Sequence, residues 1–256
     1  MDLASLVQTD AAQFPAVAFI ESWFPDPLLP DGQRNTDGRE IGTGSLIAPR
    51  LVLTAGHIVY DARQGGQTTV VRVTLGGAQR VSVTSNVVDF PLEWRQPRTA
   101  LDSSVVSPVD IGVIVLPEPV DRFAAPLPVE TASDTMLAGM RLNVLGYPAN
   151  PGHVVRPPPP LGTLFGTQFN LIQGAAIPDG GDQYQAYRLF YPVRTVGGVS
   201  GGPVYNVDPV TKTRTIRGVH TSLVDWGDGS QLASALRIDN DIKTLIHGWI
   251  GDLGRA

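Results

Sequence analysis

Three short segments carry residue types that together could break an acyl bond. Leu53-Thr54-Ala55-Gly56-His57 reads as an apolar strand that ends in small residues and then a histidine. Val109-Asp110-Ile111-Gly112-Val113-Ile114-Val115-Leu116 places an aspartate at the mouth of another apolar strand. Gly197-Gly198-Val199-Ser200-Gly201-Gly202-Pro203 sets a serine in a glycine-rich turn. A serine hydroxyl is a weak nucleophile and needs a neighbouring base. Histidine titrates near neutrality, so it can take that proton and later return it. A carboxylate on the far ring nitrogen fixes the tautomer and stabilises the imidazolium. Glycines beside the serine let backbone N–H groups converge where a tetrahedral oxyanion would form. By this chemistry His57, Asp110 and Ser200 form a catalytic triad, and the N–H groups of Gly198 and Ser200 form the oxyanion hole.

Each segment alone has a plainer explanation. A histidine after an apolar strand is commonly structural, and an aspartate at a strand edge commonly forms a turn. The glycine run could be a tight bend or a phosphate-cradling nest, although no lysine or helix pattern follows it. Asp102 is a rival carboxylate, but it sits in a polar Leu-Asp-Ser-Ser stretch. The conjunction decides, because the order His, Asp, Ser in a β-rich chain is one of the known chain orders of a serine triad.

The elements that must position these residues are short strands. Ala16–Ile20, Ser45–Ile47, Leu51–Thr54, Val70–Leu75, Val81–Val88, Ile111–Leu116, Leu142–Leu145, Arg188–Tyr191, Thr215–Val219 and Leu232–Leu236 are β-branched or apolar runs between turn signals. The 28 glycines and 22 prolines punctuate them. An all-β sandwich or barrel follows, not alternating β/α units. One helix is expected, at the C-terminus. Ile242, Leu245, Ile246 and Trp249 make a single apolar stripe, Asp239 or Asn240 can cap its start, and Gly251 lies just past its end. Phe24–Gly44 and Asn150–Gly162 read as surface loops. The second contains Pro157-Pro158-Pro159-Pro160, which reads as a stiff connection or, alternatively, as a polyproline ligand.

The sequence resembles the chymotrypsin-like serine proteases, whose two signature segments match Thr54-Ala55-Gly56-His57 and Gly198-Val199-Ser200-Gly201-Gly202-Pro203. It is most similar to the cysteine-poor glutamyl endopeptidase (V8-like) branch, through Gly42-Thr43-Gly44-Ser45-Leu46-Ile47, the run Leu51 to Asp61, Gly146-Tyr147-Pro148 and Gly218-Val219-His220. The likeness covers most of Gly42 to Trp249, with poorly matching loops. It implies a double six-stranded β-barrel, roughly residues 14–120 and 135–238, followed by a helix over 239–251. The implied activity is peptide-bond hydrolysis through an acyl-enzyme on Ser200, with glutamate preferred before the scissile bond. The resemblance also places Arg194, Thr195, His220 and Thr221 in the substrate pocket, Arg194 standing where a trypsin-like enzyme has its aspartate. An arginine there would repel basic side chains and attract carboxylates. Val199 replaces the aspartate that pairs with a new N-terminus in chymotrypsin, so that activation device is not available.

Composition narrows the partners. The net charge is −5 with no basic block, which argues against a nucleic-acid or anionic-membrane surface. No cysteine is present, which excludes disulfides, thiolate zinc sites and a cysteine nucleophile. No apolar run approaches the ~20 residues of a membrane span. Met1-Asp2-Leu3-Ala4-Ser5 lacks the features of a secretory signal. The resemblance implies secretion, with a cytoplasmic location as the alternative. No cofactor is required, no compact acidic loop argues for calcium, and a monomer acting on a protein or peptide substrate is expected. The competing readings are a non-catalytic peptide-binding module on the same fold and a protease of neutral specificity. An esterase fits poorly, since the nucleophile segment is not the strand-to-helix elbow.

Overall fold

The structure, a computed structural model, describes residues 3–25, 39–77, 79–95, 107–172, 186–225 and 231–254. Most strands fall into two seven-stranded antiparallel sheets, beside two separate two-residue pairs, Ala4–Ser5 with Val193–Arg194 and Tyr60–Asp61 with Gly66–Gln67. The first runs, in spatial order, Val88–Asp89, Gly112–Val115, Leu51–Thr54, Arg39–Ala48, Val17–Trp23, Val70–Leu75 and Val81–Ser85. The second runs Arg188–Tyr191, Gln231–Arg237, Arg214–Asp225, Pro203–Val207, Leu142–Gly146, Phe165–Phe169 and Val7–Gln8. Each sheet therefore has six strands of four residues or more and a two-residue seventh at one edge. The six-strand expectation holds for the longer strands.

Residues ahead of both expected ranges pair with the second half of the chain. Val7–Gln8 joins the second sheet beside Phe165–Phe169. Ala4–Ser5 pairs in parallel with Val193–Arg194. The N-terminal segment thus lies against the half of the molecule that holds the serine turn. Besides two-residue strands such as Val7–Gln8 and Val193–Arg194, two longer strands escaped the sequence reading. Phe165-Gly166-Thr167-Gln168-Phe169 has no apolar alternation, and Pro203–Val207 begins on a proline, a residue usually confined to strand starts and edges.

Alternation along the strands builds one core inside each sheet and two more between them, the smaller joining Val17 and Phe19 to Leu145, Tyr147 and Tyr205. Ile20, Leu46, Val52, Val71 and Val73 fill the first. Leu142, Val144, Phe165, Leu189 and Tyr191 fill the second. Leu53, Ile111 and Val113 of the first half meet Ile216, Val219 and Leu236 of the second. The helix Asn240–Asp252 closes this seam with Ile242, Ile246 and Trp249. Each such aliphatic side chain, fully buried, contributes about 1.5–3 kcal/mol. Asp239 is the cap, accepting from the Ile242 N–H at 2.9 Å, and the Trp249 indole N–H bonds Asp89 Oδ2 at 2.8 Å. Two shorter helices, Gly56–Val59 and Asp134–Gly139, were not expected, being too short for a 3.6-residue period to show. The loop expected over Phe24–Gly44 ends earlier, since Arg39–Ala48 is a ten-residue strand. Most of that loop, and Asp102, lie outside the described residues.

Candidate active site

Strand register brings His57 to Asp110. Gly112 pairs with Thr54, so the residues flanking those positions, one on each chain segment, lie side by side. His57 sits in the single turn Gly56–Val59 that follows Thr54. Asp110 is fully buried at 0% exposure. Its Oδ1 accepts the His57 backbone N–H at 3.0 Å. The His57 Nδ1 lies 3.0 Å from Oδ2 and 3.2 Å from Oδ1. An ionised carboxylate only accepts, so Nδ1 carries the proton and Nε2 is left as the ring's acceptor. The imidazole retains 24% of its side-chain exposure. Burial pulls its pKa down, but the Asp110 carboxylate, with help from Glu40 and Asp61, outweighs this and the net shift is upward from 6.5.

The serine turn is stitched to both halves of the molecule. Within the second half, Gly201 N–H donates to His220 O at 2.7 Å, Gly202 N–H to Val199 O at 2.9 Å, and Ala149 N–H to Gly197 O at 2.8 Å. Across the seam, the Thr43 N–H donates to Ser200 O at 2.7 Å. The Thr43 hydroxyl donates to Gly198 O at 2.7 Å and accepts from the Tyr147 N–H at 2.9 Å. Thr43 is itself held by Thr54, whose hydroxyl donates to Thr43 O at 2.7 Å. Gly198 adopts φ +94°, and a Cβ there would fall 2.4 Å from both Tyr147 O and Ala149 N. Only glycine fits that turn without displacing backbone.

Among the described residues, neither the Gly198 N–H nor the Ser200 N–H donates a hydrogen bond. Gly198 is buried and Ser200 half-buried, and backbone donors held away from water are nearly always paired. The Ser200 hydroxyl donates to Thr221 O at 3.3 Å and makes no hydrogen bond to His57. Catalytic contacts are often loose before substrate binds.

The four expected pocket residues do not behave alike. Along Val193-Arg194-Thr195 the pleat alternates: Val193 is buried, Arg194 is exposed and Thr195 is buried. Arg194 therefore faces away from the core side on which Thr195 lies. The Thr195 hydroxyl is buried with no hydrogen-bond partner among the described residues. His220 is buried, its Nδ1 2.6 Å from the Tyr191 hydroxyl. Burial, then the charges of Arg188 and His57, push its pKa down to about 3, so it is neutral at working pH. The Thr221 side chain is buried and its hydroxyl accepts from Arg188 Nη2 at 2.6 Å.

Sequence reasoning missed two residues at this site. Thr43 appeared only inside a segment of resemblance, and nothing local marks a threonine as a clamp. Arg188 opened an expected strand, where a charged residue reads as a solvated edge, yet it is only 2% exposed.

Two antiparallel sheets that share a seam, one supplying a histidine–aspartate pair and the other a serine turn, with a C-terminal helix across both, define the chymotrypsin-like serine protease class. The model of the trypsin-like peptidase domain family matches residues 42–209, and this chain belongs to that family. Among curated proteins the chain is similar to the glutamyl endopeptidase of Bacillus licheniformis, 28% identical over 217 residues that cover 81% of this chain and 58% of that protein. It is also similar to the extracellular metalloprotease of Bacillus subtilis, 24% identical over 218 residues, covering 84% of this chain and 60% of that protein. The chain thus spans about 60% of the length of these relatives. Among solved structures it superposes on a Glu endopeptidase with TM-score 0.67 at 17% identity, covering 98% of each chain. A second, HL collagenase, gives TM-score 0.63 at 17% identity, covering 96% of this chain and 98% of that one. These superpositions speak to fold. Among the described residues no three His, Asp or Glu side chains converge as a metal site, and no helix is long and apolar enough to cross a membrane.

Proposed function

We propose that this chain is a serine endopeptidase that cuts proteins or peptides through an acyl-enzyme on Ser200. The observation that carries the reading is the pair of N–H groups at Gly198 and Ser200, unpaired among the described residues and set in one turn with the serine hydroxyl. Two unsatisfied donors in the turn of a serine hydroxyl suit a developing oxyanion, which a pure binding module never forms. In the reaction His57 Nε2 takes the Ser200 proton as the hydroxyl attacks the carbonyl, and it returns that proton to the leaving amine. Water, deprotonated by the same imidazole, then releases the acyl group. Asp110 holds the imidazole in the required tautomer throughout. For attack, the Ser200 hydroxyl must exchange Thr221 O for His57 Nε2, an ordinary change of side-chain rotamer.

The pH dependence tests the base. His57 must be unprotonated to act, and its pKa is raised above 6.5 by the nearby carboxylates. Activity is therefore expected to fall as pH drops through a limb lying above 6.5. A kcat/KM profile on a peptide substrate measures it. A limb well below 6.5 would speak against His57 as the base.

For specificity we propose an acidic side chain, glutamate by likeness to the glutamyl endopeptidase of Bacillus licheniformis. The recognition differs from the one expected of Arg194. That residue is exposed, so the carboxylate would be met by the free Thr195 hydroxyl and by His220, as hydrogen bonds and not as an ion pair. On a panel of peptides with Glu, Asp, Lys, Leu or Phe before the cut, cleavage after Glu is expected to dominate. Thr195→Val should lower that preference about tenfold, whereas Arg194→Ala should change it less than about threefold. Cleavage after Lys or Phe but not Glu would remove the acidic reading while leaving the peptidase reading intact. Secretion is proposed with it, as the relative from Bacillus subtilis is named extracellular.

A further inference from the structure

Arg188 is an unusual residue in this molecule, an arginine among its largest fully buried side chains. Burying a guanidinium is costly unless its surroundings compensate. Nε donates to Ser234 Oγ at 3.0 Å, Nη1 to Ser107 O at 3.3 Å, and Nη2 to Thr221 Oγ1 at 2.6 Å and Ser222 Oγ at 3.3 Å. These partners are not a random lining. Ser107 lies just ahead of Asp110 in the chain, and its hydroxyl accepts the Val109 N–H at 3.2 Å, which ties down the turn leading into the aspartate. Thr221 is the residue whose carbonyl receives the Ser200 hydroxyl. Ser222 and Ser234 belong to the paired strands Arg214–Asp225 and Gln231–Arg237. One side chain from the second sheet therefore grips the segment that carries the aspartate and the strand that underlies the serine.

We infer that Arg188 is a positioning residue for the Asp110–His57 pair, holding the Ser107–Asp110 segment in place and setting its positive charge behind the carboxylate. The inference deepens the peptidase reading and rests on it for its significance. Buried at 2% exposure and bonded to Ser107, Thr221, Ser222 and Ser234, the guanidinium acts on substrate through Asp110 and not by contact. Burial pulls its pKa down to about 10, against the attraction of Asp110 and the weaker influence of Tyr191 and Tyr187, so it stays protonated at neutral pH. A fixed cation behind Asp110 moderates how strongly the carboxylate raises the basicity of His57. The other groups that bear on His57 are Glu40 and Asp61, which act in the same direction as Asp110. His220, neutral at working pH, lies close enough to interact with both His57 and Arg188.

The test is an NMR titration of the full chain labelled with 13C-histidine, made in a Ser200→Ala background so that it does not depend on turnover. His57 is assigned among the four histidines by its own substitution. Arg188→Met is expected to raise the His57 pKa by about half a unit to one unit, the size expected for removing a charge one shell away. Arg188→Gln, which keeps polar contacts to the same serines and threonine, carries the same expectation and serves if the methionine variant does not fold. Arg188→Lys keeps the charge and should leave the value within about 0.3 unit. An unchanged His57 pKa in a folded charge-free variant would overturn the inference. So would an equal rise with lysine, because a positive charge kept at that place would then have no effect on the Asp110–His57 pair. The peptidase reading is judged separately, by the reactivity of the unsubstituted chain, so the two can fail independently.

Discussion

Asp110→Asn is expected to lower kcat about 10⁴-fold while the protein remains folded. The carboxylate is fully buried and accepts both the His57 backbone N–H and the Nδ1 proton. An asparagine of the same shape can still accept one of these bonds, but its amide must donate the other. Facing an N–H donor, the imidazole would move its proton to Nε2. That nitrogen could then no longer take the Ser200 proton, so the loss falls on kcat and not on substrate binding. The substitution also removes the anion that favours the buried Arg188, and a stability loss of about 1–3 kcal/mol is expected beside the kinetic one. Steady-state kinetics at pH 8 with a thermal melt on the same sample separate the two. A variant with near-normal kcat would show that Asp110 does not orient the base.

The second large effect is expected at Gly201. This residue has φ +84°, and a Cβ would fall 2.0 Å from Thr43 O and 2.1 Å from Thr54 Oγ1. Those two atoms are already bonded to each other in the clamp that ties the first sheet to the serine turn. Gly201→Ala must therefore open the clamp or shift the turn. Backbone strain of about 1–3 kcal/mol and overpacking of similar size act together. A melting temperature about 10 °C lower is expected, given about 2–4 °C per kcal/mol at this chain length. A turn displaced by even 1 Å should also cost about 10²-fold in rate. Differential scanning calorimetry and kinetics on the purified variant measure both. Normal stability and rate would mean that the turn does not depend on this close approach.

How much of this was legible in the sequence depends on the distance over which each feature is encoded. Leu51–Thr54 and Val70–Leu75 match the expected strands residue for residue, because their apolar runs are bounded by turn signals. Asp110 could be preferred over Asp102 because it borders an apolar strand, and the pairing of Gly112 with Thr54 then sets it beside His57. Arg194 shows the opposite case. Its chain position relative to Ser200 says nothing about pleat phase, and the pairing of Val193–Arg194 with Ala4–Ser5 is encoded at the far end of the chain. The burial of Arg188 was hidden for a related reason. Its acceptors lie 33 to 81 residues away, so no local pattern distinguishes it from a solvated strand end. The clamp by Thr43 reaches 155 residues to Gly198, and a threonine between two glycines carries no mark of that role.

The central claim is that Ser200 is a nucleophile activated by His57. Its most direct test is labelling with a fluorophosphonate at pH 8, followed by mass spectrometry of the digested protein. One adduct is expected, on the peptide that contains Ser200, absent from Ser200→Ala and much slower to form in Asp110→Asn. A folded, unsubstituted protein that stays unmodified, or that carries its adduct on another residue, would contradict it.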